Sequence, residues 1–258
     1  RIINKSVAVT VMLNKVKEKL VNDYRVAGEK IVTIPHGTPD LPYSPTTPYK
    51  KKRHFSDRII LGNINLLTPS RGIEYSLEAV ATIAKRYPEV LYMVIGQTHP
   101  VYVREKCEEY REFLKLKVKQ LRIEKNVRFI NKYLTLEELI LWLKTLDFYV
   151  TPYLNAEQAA SGALAYAVGA GKTCISSPYQ YAKEILSEGR GVLVPFKNSK
   201  AIASAVISLW SNQDKKEAIE RKAYEYGRLM TWPNVASQYL ELFRTVLATN
   251  NSGRKNDT

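Results

Sequence analysis

The chain has 258 residues, 45% apolar and 25% charged, which is the usage of a globular protein able to build a sizeable core. Its net charge is +14, and its only two cysteines, Cys107 and Cys174, lie far apart. Such a pair excludes a disulfide scaffold, and no apolar run reaches membrane-spanning length. With no secretory leader visible, the expectation is a reduced, cytoplasmic chain.

Strand and helix patterns alternate along the sequence. Ser6 to Val11 reads as a short strand, Asn14 to Tyr24 as a basic amphipathic helix, and Ile31 to Ile34 as a second strand ending at Pro35-His36-Gly37. Residues 39–56 then carry Pro39, Pro42, Pro45 and Pro48, a density that argues against a helix or central strand and reads as an interdomain linker. Strand-like runs follow at Ile59–Ile64, Leu91–Ile95, Val127–Ile130, Phe148–Thr151, Thr173–Ser176 and Val192–Val194. Helical spacing separates them at Ile73–Arg86, Arg104–Leu121 and Leu136–Leu146, with further helices at Ile202–Trp210 and Val235–Leu247. This order predicts an α/β fold, a doubly wound parallel sheet of Rossmann-like kind over residues 57–248. The polar residues 249–258 read as a disordered tail.

Most of the positive charge is spread over helical faces, such as Lys15, Lys17 and Lys19, or Lys115, Lys117 and Lys119. The one dense cluster, Lys50 to Arg53, lacks the interleaved aromatics of a single-strand binding surface, so nucleic acid is not the expected partner. A solvated surface accounts for the charge, and an anionic membrane surface is the alternative, which would make the chain peripheral there.

Ligands of a doubly wound sheet sit beyond the carboxyl ends of its strands. The richest such segment is Asp147–Lys172, where a strand and a Pro-containing loop lead to Glu157 and then to Ala160, Ser161 and Gly162 opening a helix. Small residues at a helix start let an anion approach unpaired N–H groups. A carboxylate beside that anion is suited to sugar hydroxyls, so Glu157 and the helix start together suggest a sugar nucleotide. In the loop from Asn65 to Gly72, a candidate donor-binding stretch, Arg71 offers a cationic group for a diphosphate, although taken alone it reads more readily as a surface residue. Gly96, Thr98 and His99 follow the next strand, His99 reading either as a ligand contact or as a turn cap. Lys172 is a further candidate, or else a partner of a helix carboxyl end. Gly169-Ala170-Gly171-Lys172-Thr173 is not a phosphate loop, because it runs from helix to strand. No cluster of metal-ligating residues is recognised.

The ordered set of motifs resembles the carboxyl-terminal half of retaining GT-B glycosyltransferases, the glycosyl transferases group one family. The residues that carry it are Ile34-Pro35-His36-Gly37, Ser70-Arg71-Gly72-Ile73-Glu74, Val94-Ile95-Gly96 and Asn126-Val127-Arg128-Phe129. The Thr151–Lys172 segment, Gly189-Arg190-Gly191-Val192-Leu193-Val194-Pro195, and Trp232 before Val235-Ala236 complete it. The resemblance implies a hexosyltransferase moving a sugar from a nucleoside diphosphate sugar to a glycan or lipid-linked acceptor with retained configuration, without metal or resident cofactor. Arg71 and the amides at Ala160, Ser161 and Gly162 match positions at the donor diphosphate. Glu157 matches a residue that binds the transferred sugar. The family's second glutamate, eight positions on and near the nucleotide ribose, corresponds to Ala165, and the usual first-loop glycine corresponds to Asn65 followed by Leu66. Two full lobes exceed 258 residues, so residues 1–38 are expected to be the end of an amino-terminal acceptor lobe whose remainder would be a separate partner. A catalytically silent sugar-nucleotide-binding subunit is the alternative.

Overall fold

A computed structural model describes residues 2–254. The chain opens with α1 (Ile2–Lys5), β1 (Val9–Val11), α2 (Asn14–Tyr24) and β2 (Ile31–Thr33), the two strands pairing in parallel as a small sheet of their own. Next come α3 (Thr47–Lys52), β3 (Ile59–Ile64), α4 (Ile73–Ala84), β4 (Val90–Ile95), α5 (Pro100–Lys106), α6 (Glu109–Leu121) and β5 (Val127–Ile130). The second half contributes α7 (Leu136–Thr145), β6 (Phe148–Thr151), α8 (Gly162–Gly169), β7 (Thr173–Ser176), α9 (Gln180–Ile185) and β8 (Val192–Leu193). It closes with α10 (Ser199–Trp210), α11 (Gln213–Leu229) and α12 (Trp232–Arg254).

The main sheet has six parallel strands in the order β5-β4-β3-β6-β7-β8. Its strands are short and apolar because both faces are covered. Ile59 and Leu61 of β3 point to one face, where they join Leu77 and Val80 of α4, Leu114 of α6 and Val206 of α10. Ile60 and Ile64 point to the other, with Leu143 of α7, Leu164 and Val168 of α8, and Ile185 of α9. The doubly wound Rossmann-like fold expected from the sequence is therefore present.

At the centre, β3 and β6 pair in register only at Leu61–Phe148 and Gly62–Tyr149. Side chains extend that seam in both directions. Below, Asp147 accepts the Ile60 amide at 2.7 Å and forms a 3.0 Å ion pair with Lys50 of α3, both side chains being almost fully buried. Above, the amide of the buried Asn63 donates to the Val150 carbonyl at 2.8 Å.

One part of the expectation for residues 39–56 is corrected, that their prolines exclude a helix. Residues 39–56 contain a helix, α3, which tolerates Pro48 because a first-turn proline has no intrahelical N–H bond to lose. The segment is also fastened elsewhere, the Tyr224 hydroxyl donating to the Leu41 carbonyl at 3.0 Å and Phe55 sitting in the core. The expected helix over Arg104–Leu121 is broken at Cys107, which has a φ of 52°, so α5 and α6 are separate. Helix α11 escaped the periodicity reading because its inward positions, Ile219, Ala223 and Gly227, are few and small among charged residues. Helix α12 continues to Arg254, into the stretch read as a tail, and residues 255–258 lie outside the described ones. Among the described residues no helix is long and apolar enough to cross a membrane.

Removing the carboxylate in Asp147→Ala strands the Lys50 ammonium and the Ile60 amide in the core. Chemical denaturation should show a loss of about 3–5 kcal/mol, and a loss below about 1 kcal/mol would mean the pair is solvated.

Candidate active site

A cleft of about 380 Å³ opens at the carboxyl ends of β3, β4 and β5, against the first turn of α8. Because β3 leads to β4 on one side and to β6 on the other, the cleft lies at the topological switch point, where parallel sheets leave room for ligands. Asn65 and Leu66 after β3, Gly96 and Gln97 after β4, and Lys132 to Leu134 after β5 form one bank. Gly162, Ala163 and Tyr166 of α8, with His36, form the other.

Backbone crowding explains the residue types on the first bank. Gly96 has a φ of +133°, and a Cβ there would lie 1.9 Å from the Asn65 carbonyl oxygen, so only glycine lets the two loops touch. Arg111 of α6, itself buried, donates to the Gly96 carbonyl at 2.8 Å and to Asn131 Oδ1 at 2.9 Å, clamping the loops after β4 and β5 together. Gly72, with a φ of +62°, lets the loop after β3 meet the loop after β6, since its Cβ would fall 2.2 Å from the Pro152 carbonyl.

On the second bank, Ser161 Oγ caps α8 by accepting the Leu164 amide at 3.3 Å. The amides of Gly162 and Ala163 have no helical acceptor and stand at the positive end of the helix. His36 packs over this turn, a Cβ on Gly162 falling 2.9 Å from its Nε2. The imidazole Nδ1 lies 2.8 Å from the Gly37 carbonyl, so Nδ1 carries a hydrogen and Nε2 is left for the cleft. The chain reaches this point because Thr38 bonds across to Met230 and Trp232, with Gly37 flat against the Trp232 ring.

Arg71 stands just behind the cleft. Its guanidinium lies 4.5 Å from the centre of the Tyr153 ring, and the Tyr153 hydroxyl accepts from Asn65 Nδ2 at 3.3 Å. Arg71 Nη1 donates to Gln158 Oε1 at 3.4 Å, while its buried Nε has no partner.

Of the residues singled out from the sequence, Asn65, Gly96 and Gly162 line the cleft, Ala160 and Ser161 precede its helix start, and Arg71 adjoins it. Four others lie elsewhere. Thr98 is buried and donates to the Glu108 carboxylate, and it also accepts from Arg111. His99 caps α5, its Nδ1 accepting the Val101 amide at 3.2 Å. The Glu157 carboxylate is exposed, accepts from Gln180 at 2.6 Å and lies 3.9 Å from Lys19 of α2. Lys172 sits at the amino end of β7, across the sheet from the cleft, and donates to the Leu146 carbonyl at 3.4 Å. The position matched to the second family glutamate, Ala165, faces the core; its neighbour Tyr166 faces the cleft. Tyr166 was legible in principle, since it follows Gly162 by four residues and so shares its helical face.

This parallel sheet, with its cleft at the switch point, is the Rossmann-like lobe found in GT-B glycosyltransferases. The family described as Glycosyl transferases group 1 matches residues 46–226, and the chain belongs to it. Among curated relatives, D-inositol 3-phosphate glycosyltransferase of Corynebacterium urealyticum is 28% identical over 192 residues, covering 72% of this chain and 43% of that protein. Phosphatidyl-myo-inositol mannosyltransferase of Mycolicibacterium smegmatis is 21% identical over 179 residues, covering 69% and 42%. The chain thus spans less than half the length of these relatives. Among solved structures, sucrose-phosphate synthase of Thermosynechococcus elongatus superposes with a TM-score of 0.81 at 20% identity, covering 96% of this chain and 60% of that one. HepE of Anabaena, solved with UDP and glucose, gives 0.75 at 15% identity, covering 93% and 63%.

The placement of Lys172 carries its own test. Burial pulls its pKa down to about 8, an effect that nearby Glu220 opposes and Lys216 reinforces. Between that value and the ordinary lysine pKa the unfolded chain binds the extra proton, so stability rises with pH there. Relative to Lys172→Met, the parent should gain roughly 2–4 kcal/mol between pH 8 and 10.5. A pH-independent difference in urea denaturation would show that Lys172 titrates normally.

Proposed function

We propose that the chain forms the donor-binding half of a retaining glycosyltransferase that uses a nucleoside diphosphate sugar. The observation that carries this is the meeting of the α8 amino terminus, the Asn65 loop and Arg71 at one point of the sheet. Negative charge builds on the departing diphosphate during transfer. Preorganised amides at Gly162 and Ala163, with the guanidinium of Arg71, stabilise that charge without reorganising.

Glu157 is assigned to hydroxyls of the transferred sugar, which then replace its present bonds to Gln180 and Lys19. Glu157 shares a pocket with Lys15, Glu18 and Lys19 of α2, the helix that lies within the segment read as the end of the first lobe, which supports a sugar held between two lobes. Residues 1–38 are read as the end of the amino-terminal acceptor lobe, whose remainder supplies the acceptor site. The bound UDP of HepE and the inositol-containing acceptors named for the curated relatives support a nucleotide donor and a polyol or lipid-linked acceptor.

Calorimetry with nucleoside diphosphates and their sugar conjugates tests this directly. Arg71→Ala should weaken bare diphosphate binding by about 10- to 100-fold, the worth of one or two charge-assisted bonds. Glu157→Ala should leave the bare diphosphate unaffected and abolish the extra affinity of the sugar conjugate. Binding that is indifferent to Arg71→Ala would sink the proposed donor site, and sugar-nucleotide binding without any turnover in the presence of an acceptor lobe would favour the silent subunit.

A further inference from the structure

The outer rim of the sheet carries a second concave surface, distinct from the cleft. β5 is the terminal strand and pairs with β4 alone among the described strands. It and helix α6 border a groove of about 710 Å³, lined by Val127 and Phe129 from the strand and by Phe113 and Leu116 from the helix. Phe113 and Leu116 are 47% and 55% exposed, and their spacing of three residues puts them on one face of α6. The Phe113 ring stacks on the buried Tyr110 ring, with centres 6.1 Å apart, which steadies it at the surface.

The charges around this apolar strip indicate what covers it. α6 carries Glu109 and Glu112 in its first turn, then Lys115, and Lys119 in its last turn. Glu112 and Lys115 are paired at 2.8 Å, but both side chains are exposed, so the contact is weak and open to exchange. Acid at one end and base at the other make this helix face complementary to itself turned end for end. When a second α6 lies antiparallel, with Phe113 beside Leu116 of the second copy, Glu109 comes beside Lys119 of that copy, and a two-fold axis repeats each contact. A chain of net charge +14 repels its own copies. On this rim three carboxylates, of Glu109, Glu112 and Glu124, meet two amines, of Lys115 and Lys119, which lifts that repulsion locally.

The segment read as the end of the first lobe lies elsewhere. In its α2 the Asn14 and Lys15 amides donate to the Glu184 carboxylate of α9 at 2.8 and 3.1 Å, and α9 packs on the face of the sheet opposite α6.

We propose that the rim formed by α6 and β5 is a homodimer interface, in which the α6 helices of two copies pack antiparallel across a two-fold axis. Phe113 and Leu116 of each copy fill the groove of the other, and the acidic end of each helix pairs with the basic end of its counterpart. This assignment is independent of what the cleft binds.

Sedimentation velocity of the purified chain over a range of concentrations tests it. The expected result is a monomer–dimer equilibrium with a dissociation constant of about 1–100 µM, as suits a contact of one helix and one strand edge. Phe113→Asp and Leu116→Asp should each weaken dimerisation by about tenfold or more, with unchanged circular dichroism because both side chains are half exposed. Glu109→Lys and Lys119→Glu should each weaken it by about threefold or more, by setting like charges together, and the variant carrying both changes should recover it. A chain that stays monomeric up to about 1 mM overturns the proposal. A dimer indifferent to both Asp variants overturns it as well, because another surface then holds the copies together. Failure of the double charge exchange to recover a dimer that either single exchange weakens would overturn the antiparallel arrangement.

Discussion

The site depends on the seam between β3 and β6. Parallel strands normally run a full ladder, yet here the register covers two positions, the Asp147 amide adds one bond to the Ile60 carbonyl at 2.8 Å, and side chains extend the seam at both ends. Asp147 holds the lower end and Asn63 the upper, each buried and each bonded to the opposite strand's backbone. An unpaired amide or carbonyl at those places would be costly in the core. By satisfying them individually, the two side chains let the strands part above Val150 without unravelling the sheet. Asn65 and the start of α8 line the crevice above the seam, and Arg71 stands behind it against Tyr153.

The loops above the seam are then held by close approach and by one buried cation. Gly96 on Asn65 and Gly72 on Pro152 bring backbones nearer than any side chain would allow. Arg111 bonds to two of those loops from behind while contributing nothing to the cleft surface. Such a frame keeps donor groups in place before a ligand arrives, which is the condition for electrostatic stabilisation of a developing charge. The chain's positive charge, in contrast, is a poor guide to its site. Lys50 and Lys216 are committed to Asp147 and Glu220, and Lys172 is buried among them at the far edge of the sheet.

Sequence reading succeeded where a single period governs. Ile59–Ile64, Val127–Ile130, Phe148–Thr151 and Thr173–Ser176 have the same bounds in the structure, because short β-rich runs between helical patterns admit few alternatives. It failed where proline position, helix polarity or tertiary pairing decided the outcome. Pro48 reads as a breaker until its first-turn position is known, and α11 shows too few apolar residues to reveal its buried stripe. For the site, Asn65, Gly96 and Gly162 were legible from their position after strands or before a helix. Thr98 and His99 share the same edge, but local bonds to Glu108 and Val101 occupy them. His36 could not be placed, since only the packing of Gly37 on Trp232 brings it over α8 from a distant part of the chain.

The contrast between Ala165 and Tyr166 shows what decides function on this fold. Counting eight residues from Glu157 selects a position by distance along the chain, whereas a ligand meets positions by angle around the helix. Gly162 marks that angle, because it lines the cleft and its missing side chain admits His36. From it, the cleft-facing position one turn on is Tyr166, and the preceding residue turns into the core with Leu164 and Val168. Tyr166 shares that cleft face with Gly162 and Ala163, and lines the same cleft as Leu134 and Leu139. The helix start and the cleft-facing side chain one turn on are therefore separable features of a single helix, the first set by its amides and the second by Tyr166.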